Sequence, residues 1–269
     1  MELGRNGATA ATEPHVPVHV TNPAASGRFV IVCEHASNWL PDELRSLGLP
    51  QSDLQRHIAW DPGALPVARE LARLLDAPLV ESRVSRLAID CNRPVDAFDL
   101  VPEMSETTVI PGNAGLSDEA REQRIALSHA PFHAALGRLI ERRSRAGLQS
   151  WIVTVHSYTP VYRGVARPWH VGIIHDADDR LAAPMVDGLR SVDGLVVGVN
   201  EPYSPDDRVY YTLERHARPA NMPCAMIEIR NDEIATEADQ MIWAERFAEI
   251  LGGIDLSVEA ERKRGGAHV

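Results

Sequence analysis

Two histidines, an Asn-Arg pair and a late glutamate stand out in this chain, because each follows or interrupts a short apolar run. Glu34 and His35 come directly after Phe29–Cys33, Asp90 to Arg93 after Leu87–Ile89, and His156 after Trp151–Val155. Glu228 lies within the otherwise apolar Ala225-Met-Ile-Glu-Ile229, with Arg230 beyond it. Imidazole nitrogens suit a catalytic zinc, which takes three protein ligands from nitrogen, oxygen or sulfur donors. Turn histidines bonded to nearby backbone are the alternative. Candidates for a third ligand are Asp61, in His57-Ile-Ala-Trp-Asp-Pro-Gly-Ala64, and also Glu34 and Asn38. Asp61 stands before Pro-Gly and a helical pattern, so an N-cap is an equal reading. A lone carboxylate is expensive to bury unless paired or protonated. Glu228 is therefore either the partner of an arginine such as Arg230 or a general base, taking a proton from attacking water and returning it to a leaving amine. Asn92-Arg93 offers an amide and a planar fork to a substrate carboxylate, with Asp90 placed to orient the arginine.

Composition narrows the chemistry further. The 27 basic residues are 26 Arg and one Lys, Lys263. No Gly-Lys pair exists, which excludes a phosphate-binding loop of the G-x-x-x-x-G-K-[ST] kind, and no lysine lies in the body of the chain to form a Schiff base. Any fixed positive charge in a site is then arginine or a metal. The formal charge of -11 is carried by residues 29–252, the two ends each summing to zero. That balance argues against nucleic acid and anionic membrane as partners. No apolar run approaches the ~20 residues of a membrane span, and Met1 to Pro23 lacks the apolar stretch of a signal peptide. Cys33, Cys91 and Cys224 form no C-x-x-C, so free thiols and a cytoplasmic location are expected.

The elements that must position these residues can be read from periodicity. Residues 1–28 have none and are expected to be a mostly disordered leader. Residues 253–269 are expected to fray, leaving 29–252 as a single domain. Apolar runs at Phe29–Cys33, Leu79–Val80 with Leu87–Ile89, Trp151–Val155, Val171–Ile174, Leu195–Val199 and Cys224–Ile229 read as strands buried on both faces. Helical patterns lie between them, at Ala64–Leu75, from Ser117 to Arg145 with a break or kink at Pro131, and at Asp178–Val192 and Asp232–Leu251. Strands alternating with helices imply a three-layer α/β domain with a mostly parallel central sheet. Ligands of such sheets gather beyond the C-terminal strand ends, where the residues above fall.

Secondary candidates surround this set. His216 would serve as an oxyanion stabiliser or as a structural histidine at a helix end. Arg163 and Arg167, in the segment after His156, could bring a second arginine to a dicarboxylate, or be solvated. Arg86 is a further place to hold a carboxylate, and His57 and the tyrosines of the second half could line a pocket.

The segments Cys33-Glu-His-Ala-Ser37, His57–Ala64, Ser85-Arg86-Leu-Ala-Ile-Asp90-Cys-Asn92-Arg93-Pro94, Val155-His-Ser157 and Ile227-Glu-Ile-Arg230 together resemble, in order, the N-formylglutamate amidohydrolase family. The resemblance runs from about residue 29 to 252, with Ser-Arg-x-x-x-Asp-x-Asn-Arg-Pro its most specific piece. That family is similar in turn to zinc carboxypeptidases and aspartoacylase, which implies a zinc-exopeptidase-like fold. It implies hydrolysis of an N-formyl amino acid to formate and the free amino acid, with one zinc ion per chain. By position, His35 and His156 would be zinc ligands, Asn92 and Arg93 would hold the carboxylate, and Glu228 would be the base. The carboxypeptidase-type pattern is His-x-x-Glu, and here the fourth position is Asn38, a poor zinc ligand. Asp61 is taken as the third ligand in its place. A deacylase for another acyl group, or a non-catalytic small-molecule-binding relative, are the alternatives, and metal content separates the last from the others.

Overall fold

The computed structural model describes residues 15–256. Along them run the strands β1 (Val18–Thr21), β2 (Phe29–Cys33), β3 (Leu79–Ser82), β4 (Met104–Ser105), β5 (Thr108–Val109), β6 (Trp151–Tyr158), β7 (Val161–Tyr162), β8 (Val165–Ala166), β9 (Val171–Ile174), β10 (Val197–Val199) and β11 (Cys224–Arg230). The α-helices are α1 (Gln51–Leu54), α2 (Ala64–Leu74), α3 (Asp118–Arg124), α4 (Ala130–Arg145), α5 (Ala182–Arg190), α6 (Tyr211–His216) and α7 (Glu237–Gly252). None of these helices is long and apolar enough to cross a membrane.

Seven strands form one sheet in the order β1-β3-β2-β6-β11-β9-β10, while β4–β5 and β7–β8 are separate hairpins. The central four, β3, β2, β6 and β11, are mutually parallel. β9 turns antiparallel against β11 and carries β10 parallel to itself, and β1 closes the other edge antiparallel to β3. Both sheet faces are covered, which is why β2, β3, β6 and β9 are buried throughout and show no alternation. Phe29, Ile31 and Cys33 face α2, α5 and α7 through Ala68, Leu71, Met185, Leu189, Trp243 and Phe247. Val30, Val32 and Val80 face α4 and α6 through Phe132, Leu136 and Leu213. Each such side chain removed from water stabilises the fold by about 1.5–3 kcal/mol. The result is a three-layer α/β arrangement on a mostly parallel sheet.

Several expectations are corrected. The segment 1–28 is not a leader throughout: Val18–Thr21 is an edge strand whose Val18 and Val20 pack on the core under α4 while His19 and Thr21 face out. A four-residue strand with only two apolar positions leaves little trace in a sequence. The ordered chain likewise continues past 252, with Ile254 buried against the α7 side. The rest of the leader and tail expectation, 1–14 and 257–269, lies outside the described residues. Leu87–Ile89 is no strand but part of a turn, in which Ala88 N–H donates to Ser85 O at 2.9 Å. Its apolar residues are buried separately, Leu87 against Leu47, Leu54 and Ile58, and Ile89 against Ala97 and Leu100. Pro131 does not break the Ser117–Arg145 segment. A π turn, Ile125–His129, absorbs the irregularity, and Pro131 falls in the first turn of α4, where its missing N–H costs little.

Candidate active site

At the C-terminal edge of the parallel strands, a cavity of about 190 Å³ is lined by His35, His57, Asp61, Arg86, Asn92, Arg93, His156, Tyr162, Tyr203 and Glu228, among others. His35 is the second residue beyond the end of β2. His156 stands inside β6, which runs three residues beyond the expected end at Val155. Glu228 is its direct neighbour on β11, by the register of the parallel pair. Asp61 arrives from the turn before α2, where its N–H donates to His35 O at 2.9 Å. It does not cap that helix. Gly63 is the N-cap residue with φ 81, and a Cβ there would stand 2.6 Å from Ile234 O, so this turn needs glycine. The stretch from Arg86 to Arg93 descends from the turn after β3.

Three donor atoms converge. Asp61 Oδ2 lies 3.3 Å from His35 Nδ1 and 2.9 Å from His156 Nδ1, and the two nitrogens are 3.2 Å apart. Behind each histidine stands a carboxylate: Asp90 Oδ1 is 2.7 Å from His35 Nε2, and Glu34 Oε2 is 3.1 Å from His156 Nε2. Asp90 accepts, so His35 Nε2 carries the ring proton and its Nδ1 lone pair turns inward, while Glu34 faces His156 Nε2 in ion-pair range and favours a proton on that nitrogen as well. With both Nδ1 atoms unprotonated, three buried lone pairs face one another, an arrangement suited to a cation among them. Four-coordinate tetrahedral bonding at ~2.0–2.1 Å would separate ligand atoms by about 3.3 Å. His35, Asp61 and His156 could therefore hold a metal ion, each histidine oriented by a carboxylate as in metal centres generally. Asp61 Oδ1 forms an ion pair with Arg86, and His57 Nε2, 3.2 Å from it, bonds instead to Ser157 O at 2.6 Å. Asn38 takes no part, its amide donating to Leu54 O at 2.8 Å.

Burial sets the charges around this cluster. It holds His35 neutral, its pKa pulled down to about 4 with help from Arg86, and His57 likewise to about 3. Burial would raise Glu34, but the adjacent His156 outweighs it and lowers its pKa. Glu228 is raised by burial, against the pull of His156 and Arg86, and its Oε2 has no hydrogen-bond partner among the described residues. It is not paired with Arg230, which bonds to Asp232 and Glu233 instead.

The arginines and amides divide the remaining work. Arg93 donates through Nε to Asp99 at 3.0 Å and through Nη1 to the Asn92 and Arg208 carbonyls. None of these bonds uses its Nη2. Asn92 lines the cavity, but its amide is committed: Oδ1 accepts from Thr212 N–H at 3.0 Å and Nδ2 donates to Val209 O. Arg167 stands in an adjoining cleft that shares Arg93, Tyr162 and Tyr203 with the cavity. Its guanidinium lies over the rings of Tyr158, Tyr162 and Tyr203 and donates to Tyr203 Oη at 3.1 Å. It is buried with no carboxylate in ion-pair range among the described residues. His216 is not brought to the cavity. Its Nε2 meets His133 Nδ1 at 2.9 Å behind the Cys91–Arg93 loop, so an oxyanion role is replaced by a structural one. Sequence reasoning missed His129 and His133 entirely. A signal was present, since two histidines at i and i+4 share one helix face.

The family model of N-formylglutamate amidohydrolase matches residues 27–235. Among solved structures, that of a gene product of Agrobacterium tumefaciens is 44% identical, with a TM-score of 0.87 over 90% of this chain and 96% of that one. The crystal structure of N-formylglutamate amidohydrolase from Ralstonia eutropha JMP134 aligns with a TM-score of 0.61 at 20% identity, over 87% of this chain and 98% of that one, a likeness of fold. No curated protein matches the chain significantly. The family match spans the strands and turns that supply the whole convergent cluster, and the chain belongs to the N-formylglutamate amidohydrolase family.

Proposed function

We propose that this chain is a zinc-dependent amidohydrolase cleaving the amide of a small N-acyl amino acid, with N-formyl-L-glutamate as its substrate and formate and the free amino acid as products. The observation that carries the proposal is the convergence of the His35, His156 and Asp61 lone pairs next to a buried, unpartnered Glu228. Two imidazole nitrogens and one carboxylate oxygen are a donor set that zinc accepts while leaving a position open. When bound there, the ion would polarise an acyl carbonyl and acidify a water. The family, and the order of its motifs, support a fold of the zinc-exopeptidase type.

The chain's own residues supply the rest. Glu228 accepts the proton of the attacking water and passes it to the leaving amine, a task suited to a carboxylate whose pKa burial has raised. Arg93 holds the substrate's α-carboxylate through its unused Nη2, while Asp90 and Asp99 keep its guanidinium in place. Arg86 sits in the same cavity against Asp61 and adds fixed positive charge beside the scissile group. Asn92 acts by fixing the loop on which Arg93 is mounted. Arg167 takes a second carboxylate at the end of the substrate's side chain, which supports a dicarboxylate. Three buried, unpaired thiols agree with a reducing, cytoplasmic setting.

The test is formate and acetate release from N-formyl and N-acetyl amino acids by metal-depleted and zinc-reloaded protein. The expected result is zinc-dependent formate release that is fastest with N-formyl-L-glutamate. Release independent of the metal would refute the mechanism, and a preference for acetyl substrates would reassign the acyl group.

A further inference from the structure

Behind the loop that carries Asn92 and Arg93 lies a row of three histidines that reaches neither the cavity nor the metal-binding cluster. The π turn at Ile125–His129 and the first turns of α4 present His129 and His133 on one inner side, and both are buried. His129 Nε2 is 2.9 Å from Arg93 O, and His133 Nε2 is 2.9 Å from Cys91 O. These carbonyls flank Asn92. A carbonyl oxygen only accepts, so each Nε2 carries the proton and donates. A neutral His133 then has an acceptor at Nδ1, and His216 Nε2, 2.9 Å away, must be the donor to it. The order of donation is fixed: His216 to His133, His133 to Cys91 O, and His129 to Arg93 O. Ring packing holds the row together, with His133 and His216 stacked at 5.2 Å and 16°, and His129 and His133 centred 4.4 Å apart.

Chemistry explains why histidine suits this place. Two carbonyls on either side of a ligand-binding residue need donors with no freedom to swing. A lysine or arginine beneath the loop would set a second cation under Arg93. Burial keeps these imidazoles neutral, with His133 pushed down to about 2 and His216 to about 4. From the opposite side, Thr212 N–H and Val209 O hold the Asn92 side chain. The loop is thereby clamped between α4 and the start of α6, and the peptide planes that aim Arg93 have little room to rotate.

We propose that His129 and His133, with His216 locking the latter, are positioning residues that aim Arg93 and so set the enzyme's preference for substrates with a free α-carboxylate. This rests on the reading that Arg93 holds that carboxylate. The experiment compares wild type, H129A, H129Q, H129N, H133Q, R93A and the H129A/R93A double variant. Each is loaded with zinc, its metal content and Tm are measured, and it is assayed on N-formyl-L-glutamate and on the corresponding α-amide. H129A should raise KM for the acid about 10-fold, with kcat within about 3-fold, unchanged zinc content, and little effect on the amide. H129Q and H133Q, whose amide nitrogen takes the place of Nε2, should stay near wild type. H129N, whose shorter amide falls short of the carbonyl, should behave as H129A does. In the R93A background H129A should add nothing, because its effect passes through Arg93. An R93A that raises KM for the acid, alongside an H129A that does not, would overturn the proposal. So would an H129A effect of equal size with and without Arg93, or equal on acid and amide. If H129A does not fold, the contrast between H129Q and H129N decides, and equal KM values for the two overturn the proposal. An R93A with unchanged KM for the acid would instead sink the underlying reading of Arg93, a result distinguishable from the others.

Discussion

Replacing Asp90 by Asn tests the proposed metal centre without touching any of its three candidate ligands. Asp90 Oδ1 receives His35 Nε2 at 2.7 Å and Asn92 N–H at 2.8 Å. An asparagine keeps an acceptor oxygen for both and loses only the charge. What disappears is the negative field that makes His35 Nδ1 a stronger donor and fixes its tautomer. Carboxylates in this position are typically worth about 10–100-fold in metal affinity, or about 1.4–2.7 kcal/mol. Because the hydrogen bond survives in Asp90→Asn, the lower half of that range is expected. Glu34→Gln should match it, since Glu34 stands behind His156 as Asp90 stands behind His35. Asp61→Asn should cost far more. It removes one of the three donor atoms and strips Arg86 of the counter-charge it meets in a buried ion pair, a kind of loss that also destabilises the fold by about 3–5 kcal/mol. Asn38→Ala should leave zinc affinity unchanged, since its amide only ties the loop to Leu54 O. Zinc Kd from competition with a chromophoric chelator, alongside Tm of the metal-free proteins, measures the series. If folded Asp90→Asn and Glu34→Gln bind zinc as tightly as wild type, the carboxylates do not act on the metal through the histidines, and a folded wild type that binds no zinc would make the convergent cluster a charge network rather than a metal centre.

Glu228→Gln should lower kcat by about 10²–10⁴ with zinc content and KM nearly unchanged, and an unchanged kcat removes Glu228 from the mechanism. The same substitution should raise Tm of the metal-free protein at neutral pH. Burial raises the folded pKa of Glu228, so its carboxylate weakens the fold as pH climbs from the ordinary value of about 4.3 through the raised one. The gain over wild type should vanish below that window, and a gain independent of pH would refute the linkage. Arg167→Met should raise KM for N-formyl-L-glutamate about 10–100-fold while sparing N-formyl-L-alanine, and equal effects on both would make Arg167 a structural arginine. Gly63→Ala should destabilise by about 1–3 kcal/mol, because φ 81 is strained for alanine and its Cβ would meet Ile234 O. A Tm within a degree of wild type would show that the Asp61 turn tolerates a side chain.

Much of the frame was legible because burial on both faces leaves a chemical trace. Phe29–Cys33, Trp151–Val155 and Cys224–Ile229 are continuous apolar runs, and the structure finds strands there. Where the trace misled, burial came without a strand. Leu87–Ile89 fills two small clusters from within a turn, and a run of apolar residues does not say which geometry hides it. The edge strand Val18–Thr21 failed the other way, since an edge needs backbone pairing more than apolar surface.

The sequence alone determined which chemistry was available. It held no internal lysine, an Asn-Arg pair and a carboxylate in an apolar run, and its histidines stood at strand ends, which already pointed to metal-assisted hydrolysis with arginine as the anion holder. Tertiary structure decided which residues meet. His35 and His156 meet across 121 residues only because β2 and β6 pair in the sheet. Asp61 joins them because the turn before α2 bonds back to His35, and Asn38, nearer in sequence, points away to Leu54. Asn92 is spent on the α6 backbone, and His216, read as an oxyanion stabiliser or a structural histidine, is drawn to His133 behind the Cys91–Arg93 loop. Local periodicity records which side of an element is buried. The partners found there depend on strand order and on turns closed by backbone hydrogen bonds, and these join residues that no short window of sequence contains.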